Sequence, residues 1–296
     1  MAGCTPARPA RPTAIRTPTL TRPAAVAVLA IERTAAGHAI AELRRGARVA
    51  PRILARRAAV HAAFVPTQAG PLAGDRDVVR IVVGADATLV VEPVAATLAL
   101  PGAPRTLLRL EVTVHAGGSL LLDEGPLIVA AGANVERRCT IELAAGAVCA
   151  LRETVVLGRD GEPPGALDSM LQVTLAGAAL LHDGLRIDPQ HASDDAHVAL
   201  APGHRVVCSA VLLGIRPPAL PGGAQELRGP GALLRATGPS VAATEPEIAE
   251  AWDAWSTAAL RVAPATAPPR PETRAEAPRA GFEPATTGLE GRRSVH

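Results

Sequence analysis

The fold is decided by residues 107–157, which read LLRLEVTVHAGGSLLLDEGPLIVAAGANVERRCTIELAAGAVCALRETVVL. The run Leu107–Val114 places leucine or valine at every second position with polar residues between them, which is typical of a strand with one buried face. Three similar runs rich in Val, Leu, Ile and Thr follow, at 119–122, 135–143 and 148–157. The stretch therefore predicts consecutive β-strands.

Glycine beside alanine separates these runs, at Gly117, Gly132 and Gly146 within the stretch and at Gly84 and Gly177 outside it. Glycine accommodates the positive φ of tight turns. These glycines are 15 and 14 residues apart within the stretch and 33 and 31 residues apart at its ends. Intervals near 15 that double to about 30 favour stacked β layers or coils, and a plain antiparallel meander gives the same strand spacing. Both alternatives are all-β.

Working outward, strand-like runs continue at 24–31, 78–83 and 87–91, and the β domain is predicted over residues 24–262. Residues 1–23 contain five prolines and four arginines without periodicity, which predicts a disordered extension. Residues 263–296 contain six prolines and are interpreted as a second tail. Because Ala280–Pro284 back-translates to a string like the T-arm of a tRNA gene, we expect this tail to be read-through over such a gene.

One helix is predicted near the C-terminal end, at about 245–261. Thr244 and Glu247 form a T-x-x-E capping box, with Pro246 in the first turn. The two tryptophans, Trp252 and Trp255, fall on one apolar stripe of this helix. The stripe packs on the sheet of the same chain in one interpretation and forms a partner surface in the other.

Composition excludes several classes of function. The net charge of +2 is spread along the chain, and the stacking aromatics of single-strand binders are scarce, which argues against nucleic acid. Four cysteines at 4, 139, 149 and 208 form no CxxC motif and indicate a reduced, cytoplasmic protein. No apolar run approaches the roughly 20 residues that span a membrane. Nucleophile-elbow, zinc-helix and phosphate-loop motifs are missing, so an enzyme is not expected.

Five short segments carry a resemblance to a known family, in the family's order. They are Gly70–Asp75, Leu122–Pro126, Leu151–Glu162, Ala232–Ala236 and Trp255–Arg261. The third resembles a W-E-x-x-x-x-G-R…G-E pattern and the fourth an L-L-R-A strand. Together they resemble the UreD (UreH) family of urease accessory proteins over roughly 24–262. Residues 96–100 depart from the family pattern, because they contain neither the lysine nor the tyrosine of its T-K-V-Y segment.

The resemblance implies a coiled β-sheet scaffold with a short C-terminal helical segment. It implies a platform that binds the urease apoprotein on one side and the UreF–UreG pair on the other, while nickel from the GTPase UreG passes through. Tightly bound cofactors are not expected, only Ni²⁺ in transit. Positions implied to matter for partners or structure are Gly74, Gly158, Arg159, Arg235, Trp252 and Trp255.

A conduit for nickel needs ligands that release the ion, so carboxylates suit it better than a closed His/Cys site. The candidates are Asp75, Glu124, Glu153 and Glu162, which lie on the matching motifs and are expected to line one interior route. Alternatively, Asp75 caps a turn and Glu162 pairs with Arg159.

Two other functions stay open. One is a β-coil or β-sandwich binding module without metal. The other is a small metal-dependent β-fold enzyme built on the cluster that runs from His182 to His197. That segment is interpreted first as a polar loop. Its candidate ligands are His182, Asp183, Asp188, His191, Asp194, Asp195 and His197.

Overall fold

The protein consists of two stacked β-sheets and one helix in a computed structural model, which describes residues 25–189 and 203–261. In chain order the elements are β1 (Ala27–Thr34), β2 (Gly37–Arg44), β3 (Val49–Arg56), β4 (Val60–Pro66), β5 (Arg76–Val83), β6 (Thr88–Val91), β7 (Thr97–Ala99), β8 (Thr106–Val114), β9 (Ser119–Val129), β10 (Asn134–Leu143), β11 (Val148–Leu157), β12 (Ala166–Leu175), β13 (Ala178–Ile187), β14 (Val206–Leu213), β15 (Gln225–Glu226), β16 (Gly231–Gly238) and α1 (Val241–Leu260). The mainly β fold with a C-terminal helix confirms the prediction.

The two sheets are built by a chain that alternates between them. One sheet has the order β13-β12-β10-β8-β5-β1-β2, and the other has β15-β16-β14-β11-β9-β6-β4-β3, with β7 beside β9. The central strands β5, β8, β10 and β12 are parallel neighbours, as are β4, β6, β9 and β11. Val79, Leu110, Cys139 and Leu171 stand side by side in the first sheet, about 30 residues apart in sequence. The coil is thus confirmed, and the antiparallel meander is wrong for the centre.

Glycine turns close each half-coil, with one exception to the predicted pattern. Gly117, Gly132 and Gly146 have φ of +67°, +74° and +75°. The exception is the turn between β5 and β6, where the positive φ falls on Asp86 and not on Gly84. Gly84 is required for a different reason, since a Cβ there would lie 2.9 Å from the carbonyl oxygen of Ile31.

Small aliphatic side chains fill the space between the sheets. They form two clusters, one around Leu110, Ile141 and Leu151 and the other around Val135, Leu157 and Leu167. A third cluster lies on the outer face of the second sheet, where α1 covers β14 and β16. Trp255, fully buried there, is the largest side chain in the core.

The predicted start of the helix is wrong by one turn. Ser240 is the N-cap, and its hydroxyl accepts a hydrogen bond from the backbone N–H of Ala243. Thr244 is buried inside the helix and donates to the carbonyl of Ser240, so Thr244 and Glu247 form no capping box. Pro246 lies in the second turn, where its missing N–H costs a helical hydrogen bond.

The predicted extension at 1–23 and the tail at 263–296 lie outside the described residues, as does the read-through hypothesis for the tail. Within the described ranges no helix combines the length and apolar character needed to span a membrane.

Candidate functional site

A layer of polar side chains crosses the interior between the two apolar clusters of the sandwich. Arg137 lies on the inward face of β10, between Val135 and Cys139. Glu153 lies on the inward face of β11, between Leu151 and Val155. Members of this polar layer come from both sheets: Asp77, Glu124, Arg137, Glu153, Ser169, Asp183, Ser209 and Arg235. Buried charges need partners, and the layer is therefore a network.

Arg137 holds the centre of the polar layer between two carboxylates. Its Nη2 donates to Oε1 of Glu124 at 2.6 Å, and its Nη1 lies 2.6 Å from Oε1 of Glu153. The second contact is an ion pair without a directed hydrogen bond, since no donor of the described residues is aimed at that buried oxygen. Nη1 donates instead to the hydroxyl of Ser169 at 3.3 Å.

The charges of this triplet are strongly coupled. Burial raises the pKa of Glu124, Arg137 opposes that rise and Glu153 adds to it. Burial alone would lower the pKa of Arg137, but the two carboxylates raise it above its usual value. The guanidinium therefore stays charged at any physiological pH.

A β-bulge places Glu124 beside Glu153. Asp123 is opposite Arg152 and Pro126 is opposite Thr154, so Glu124 and Gly125 together face the single residue Glu153. Gly125 has a φ of +72°, and a Cβ there would lie 2.9 Å from Cβ of Pro93. A bulge re-aims side chains and is common beside functional sites. The sequence Leu122–Pro126 is thus explained as the bulge that turns one carboxylate inward.

Two cavities adjoin the triplet. The larger, of about 170 Å³, lies between the sheets, with Asp77, Glu124, Arg137 and Glu153 among its lining residues and mainly apolar walls. The smaller, of about 20 Å³, is lined by Arg137, Glu153, Ser169, Asp183, Ser209 and Arg235 among others. Its volume holds about one water molecule. The Arg137–Glu153 pair borders both cavities.

Asp75 lies at one end of the polar layer but does not line the larger cavity. Its carboxylate accepts from the backbone N–H of Leu72 at 2.6 Å, which caps the turn in which Gly74 has a φ of +82°. Arg48 pairs with both Asp75 and Asp77, and only Asp77 reaches the cavity. The turn-capping alternative for Asp75 is thus confirmed.

Glu162 lies in the surface turn between β11 and β12, apart from both cavities. It accepts from Nε of Arg159 at 2.8 Å, and this hydrogen bond is the main reason that its pKa falls to about 2. Gly158, with a φ of +77°, starts the turn, and Arg205 donates to its backbone carbonyls. The four carboxylates therefore do not line one route, because this one is held outside by its arginine.

Arg235 and Asp183 close the other end of the polar layer. Arg235 pairs with Asp183, and its Nε donates to the hydroxyl of Ser209 at 3.0 Å. His182 and Asp183 belong to strand β13, so the polar-loop interpretation is wrong for them. His182 faces solvent, on the side opposite Asp183. His191, Asp194, Asp195 and His197 lie outside the described residues.

The two tryptophans of α1 have different surroundings. Trp255 is fully buried against the sheet, and its Nε1 donates to the carbonyl of Ala219 at 3.1 Å. Trp252 is partly exposed, and Arg152 lies 5.3 Å from the centre of its ring. Packing on the sheet of the same chain is confirmed for Trp255, whereas Trp252 keeps a face toward solvent.

The side-chain atoms of the polar layer that could coordinate a metal ion are carboxylate and hydroxyl oxygens, which are hard ligands. Burial raises the pKa of the nearby thiols, well above the usual value for Cys139 and to about 12 for Cys149, so no thiolate is available. Within residues 25–189 and 203–261, no three His, Cys, Asp or Glu side chains are arranged around one metal position.

Sequence reasoning missed Arg137, Asp77 and Ser209 as members of the site. The signal was present, since each interrupts an apolar face at the inward phase of its strand. Ser169 was missed as well. Glu124, Glu153 and Arg235 were read as motif residues and Asp183 as part of a polar loop, and not as one layer, because their common level depends on the register between paired strands.

A family model described as UreD urease accessory protein matches residues 24–271. The chain belongs to the UreD family. A urease accessory protein UreD 1 of Streptomyces griseus is 36% identical over 238 residues, which cover 78% of this chain and 91% of that relative. A UreD of Parafrankia sp. is 39% identical over 225 residues, which cover 67% of this chain and 74% of that relative. UreD membership gives the chain a role in urease maturation and places it with accessory proteins.

Proposed function

We propose that this UreD-family chain is a cytoplasmic scaffold that joins the urease apoprotein to the UreF–UreG pair and lets nickel cross its interior. Family membership supports the place in urease maturation. The cavity beside the polar layer supports the nickel route, since it brings carboxylate side chains to an open space between sheets that are otherwise packed with Ala, Val and Leu.

The observation that carries the nickel route is the pair of carboxylates on the wall of the larger cavity. Glu124 and Glu153 present oxygen ligands to a space of about 170 Å³, with a charged arginine between them. Oxygen ligands suit an ion that must be released, whereas thiolate or imidazole cages retain Ni²⁺. The buried thiols of the core stay protonated and do not trap the ion.

The proposed route uses fewer carboxylate ligands than the four expected from the sequence. Glu124 and Glu153 contact the ion in this proposal, and Asp77 takes the cavity position that Asp75 does not reach. Asp75 acts through Arg48, which it shares with Asp77. Glu162 is proposed to stabilise the turn after β11.

The outer face of α1 is the proposed docking surface for UreF. Trp252 keeps part of its ring exposed beside Arg152 and Asp123, which form an ion pair on that side of the sheet. Partly exposed tryptophan beside arginine is the composition of interface hot spots. Neither nucleic acid nor a membrane is a proposed partner.

Replacing Glu124 and Glu153 together by glutamine tests the nickel route. Glutamine keeps the size of each side chain and one acceptor oxygen for Arg137, but removes the charge that attracts Ni²⁺. In cells that express urease with its accessory proteins, we expect urease activity to fall about tenfold or more, while co-purification with UreF stays unchanged. The matched control is Glu111→Gln with Glu142→Gln, two carboxylates outside the polar layer. Full activation by the interior variant would contradict the route.

A further inference from the structure

Arg137 occupies the position at which a cation between Glu124 and Glu153 would lie. Its guanidinium contacts both carboxylates at 2.6 Å and is nearly buried, with 10% of the side chain exposed. In electrostatic terms Arg137 is a counter-cation supplied by the protein itself. A second cation between the same oxygens has to replace it.

The same side chain borders both cavities. Arg137 and Glu153 line the cavity of about 170 Å³ and also the cavity of about 20 Å³. Asp183, Ser209 and Arg235, the far end of the polar layer, line the smaller cavity as well. The Arg137–Glu153 pair, with Val155, is thus the wall that the two cavities share.

The two contacts of Arg137 are unequal. The contact with Glu124 is a directed hydrogen bond, whereas the contact with Oε1 of Glu153 is a close ion pair of poorer hydrogen-bond geometry. Nη1 of the same guanidinium also donates to the hydroxyl of Ser169 at 3.3 Å. The contact with Glu153 is thus the less directed of the two, and a metal ion would compete with Nη1 for this buried carboxylate oxygen.

We propose that Arg137 is an internal gate, which a divalent cation opens by displacing the guanidinium from Glu153. This inference deepens the proposed nickel route and rests on it. Deprotonation cannot open the gate, because the guanidinium keeps its proton at all physiological pH values. A divalent ion is attracted to a carboxylate about twice as strongly as a monovalent ion at the same distance. The gate therefore favours Ni²⁺ over the abundant monovalent cations, which do not displace arginine.

The test is Ni²⁺ binding by the purified full-length chain, measured by equilibrium dialysis with NiCl₂ in the absence of other proteins. Arg137→Gln removes the competing charge, so we expect Ni²⁺ to bind on the order of tenfold tighter or more than to the original chain. Adding Glu153→Gln to that variant should return the affinity to its starting value. The control is Arg138→Gln, the adjacent arginine of β10, which pairs with Asp168 outside the two cavities.

A second readout separates a gate from a merely structural arginine. Raising the K⁺ concentration should weaken Ni²⁺ binding to Arg137→Gln, because K⁺ then enters the carboxylate pair, and should leave Ni²⁺ binding to the original chain unaffected.

A folded Arg137→Gln chain with an unchanged Ni²⁺ affinity overturns the proposal. If that variant does not fold, Arg137→Lys replaces it, since lysine keeps the positive charge but lacks the planar fork of N–H donors that holds both carboxylates. Several-fold tighter Ni²⁺ binding is expected, and unchanged affinity overturns the gate. Because no partner is present, failure of UreF binding or of urease activation bears on the proposed function alone.

Discussion

Arginine accompanies each of the four carboxylates that the sequence marked as metal ligands. The pairs are Asp75–Arg48, Glu124–Arg137, Glu153–Arg137 and Glu162–Arg159. Their surroundings decide what each pair can do. In the interior a pair replaces lost hydration, whereas at the surface it orders a turn and contributes little to stability.

Glu162 gives a residue-scale prediction about pH. The hydrogen bond from Arg159 lowers its pKa to about 2, so its contribution to stability is present above the usual glutamate value and is lost as pH falls through about 2. Carbon-detected NMR titration of the side chain should show that midpoint. In Arg159→Gln the midpoint should rise toward the usual value of about 4.3, while the backbone N–H groups of Ala131 and residue 159 still lower it. A midpoint that does not move would mean that backbone N–H groups, and not Arg159, hold the charge.

At the scale of single residues, the sequence predicted several site residues and two of their local contacts. It did not predict the contacts that join the two sheets. The turn cap at Asp75 and the pairing of Glu162 with Arg159 follow from separations of three residues, which local geometry fixes. The pairing of Arg137 with Glu153 joins two sheets, so no local pattern reports it. The only sign of this pair in the sequence is that Arg137 and Glu153 each stand at a position of their strand where the alternation predicts a buried apolar residue.

Helix α1 is the element on which local sequence rules and tertiary packing differ. The T-x-x-E pattern at Thr244 is a plausible start, but Ser240 caps the helix one turn earlier and buries Thr244 against the sheet. Burial of the apolar stripe outweighs the hydrogen bond that Pro246 removes, because a packed tryptophan contributes more than one helical bond.

The two tryptophans give an element-scale prediction about stability. Trp255→Ala should lower the free energy of unfolding by about 3–5 kcal/mol, since it empties the centre of the interface between helix and sheet. Trp252→Ala removes the partly exposed ring over Arg152 and should cost about 1 kcal/mol or less. Guanidinium unfolding curves measure both. Equal losses of unfolding free energy would show that the helix does not pack as described.

UreF co-purification gives a second comparison. The Trp252 variant should lose more UreF binding than its small loss of stability accounts for.

The coil is the element pattern that the sequence predicted best. Glycine intervals near 15 and 30 match half-coils and full coils, because each turn must stack on the turn before it. The spacing alone left the meander open, since strand length and turn length are equal in both. Parallel pairing depends on which strand is the neighbour, and only the packed structure decides that. The bulge at Glu124–Gly125 was likewise absent from the spacing, although it aims the carboxylate.

At the scale of the whole described structure, the two sheets enclose an apolar interior that one charged layer divides. Val135 and Leu167 lie on one side of this layer, and Cys139 and Leu171 lie on the other. A continuous apolar core would be simpler to stabilise, because buried ion pairs often contribute less than apolar residues of similar volume. The proposed nickel route would give this layer a function that its contribution to stability does not supply.

That explanation yields a prediction in which stability and function move in opposite directions. In the triple variant Glu124→Leu, Arg137→Met and Glu153→Leu, the whole charged triplet becomes apolar, so no charge is left without a partner. The free energy of unfolding should stay equal or rise by about 1–4 kcal/mol, whereas Arg137→Met alone should lower it by about 3–5 kcal/mol. Denaturant unfolding of both chains gives the stability, and urease activity in cells that supply the other accessory proteins gives the function.

The function of the triple variant decides what the layer is for. We expect urease activation to be lost while the chain stays folded and still co-purifies with UreF, because apolar side chains close the passage between the two cavities. A stable triple variant with full activation would rule out nickel passage at the triplet. A triple variant that unfolds would show instead that Arg137 and its two carboxylates hold the sheets together, since the apolar replacement would then have removed a stabilising contact and not a functional one.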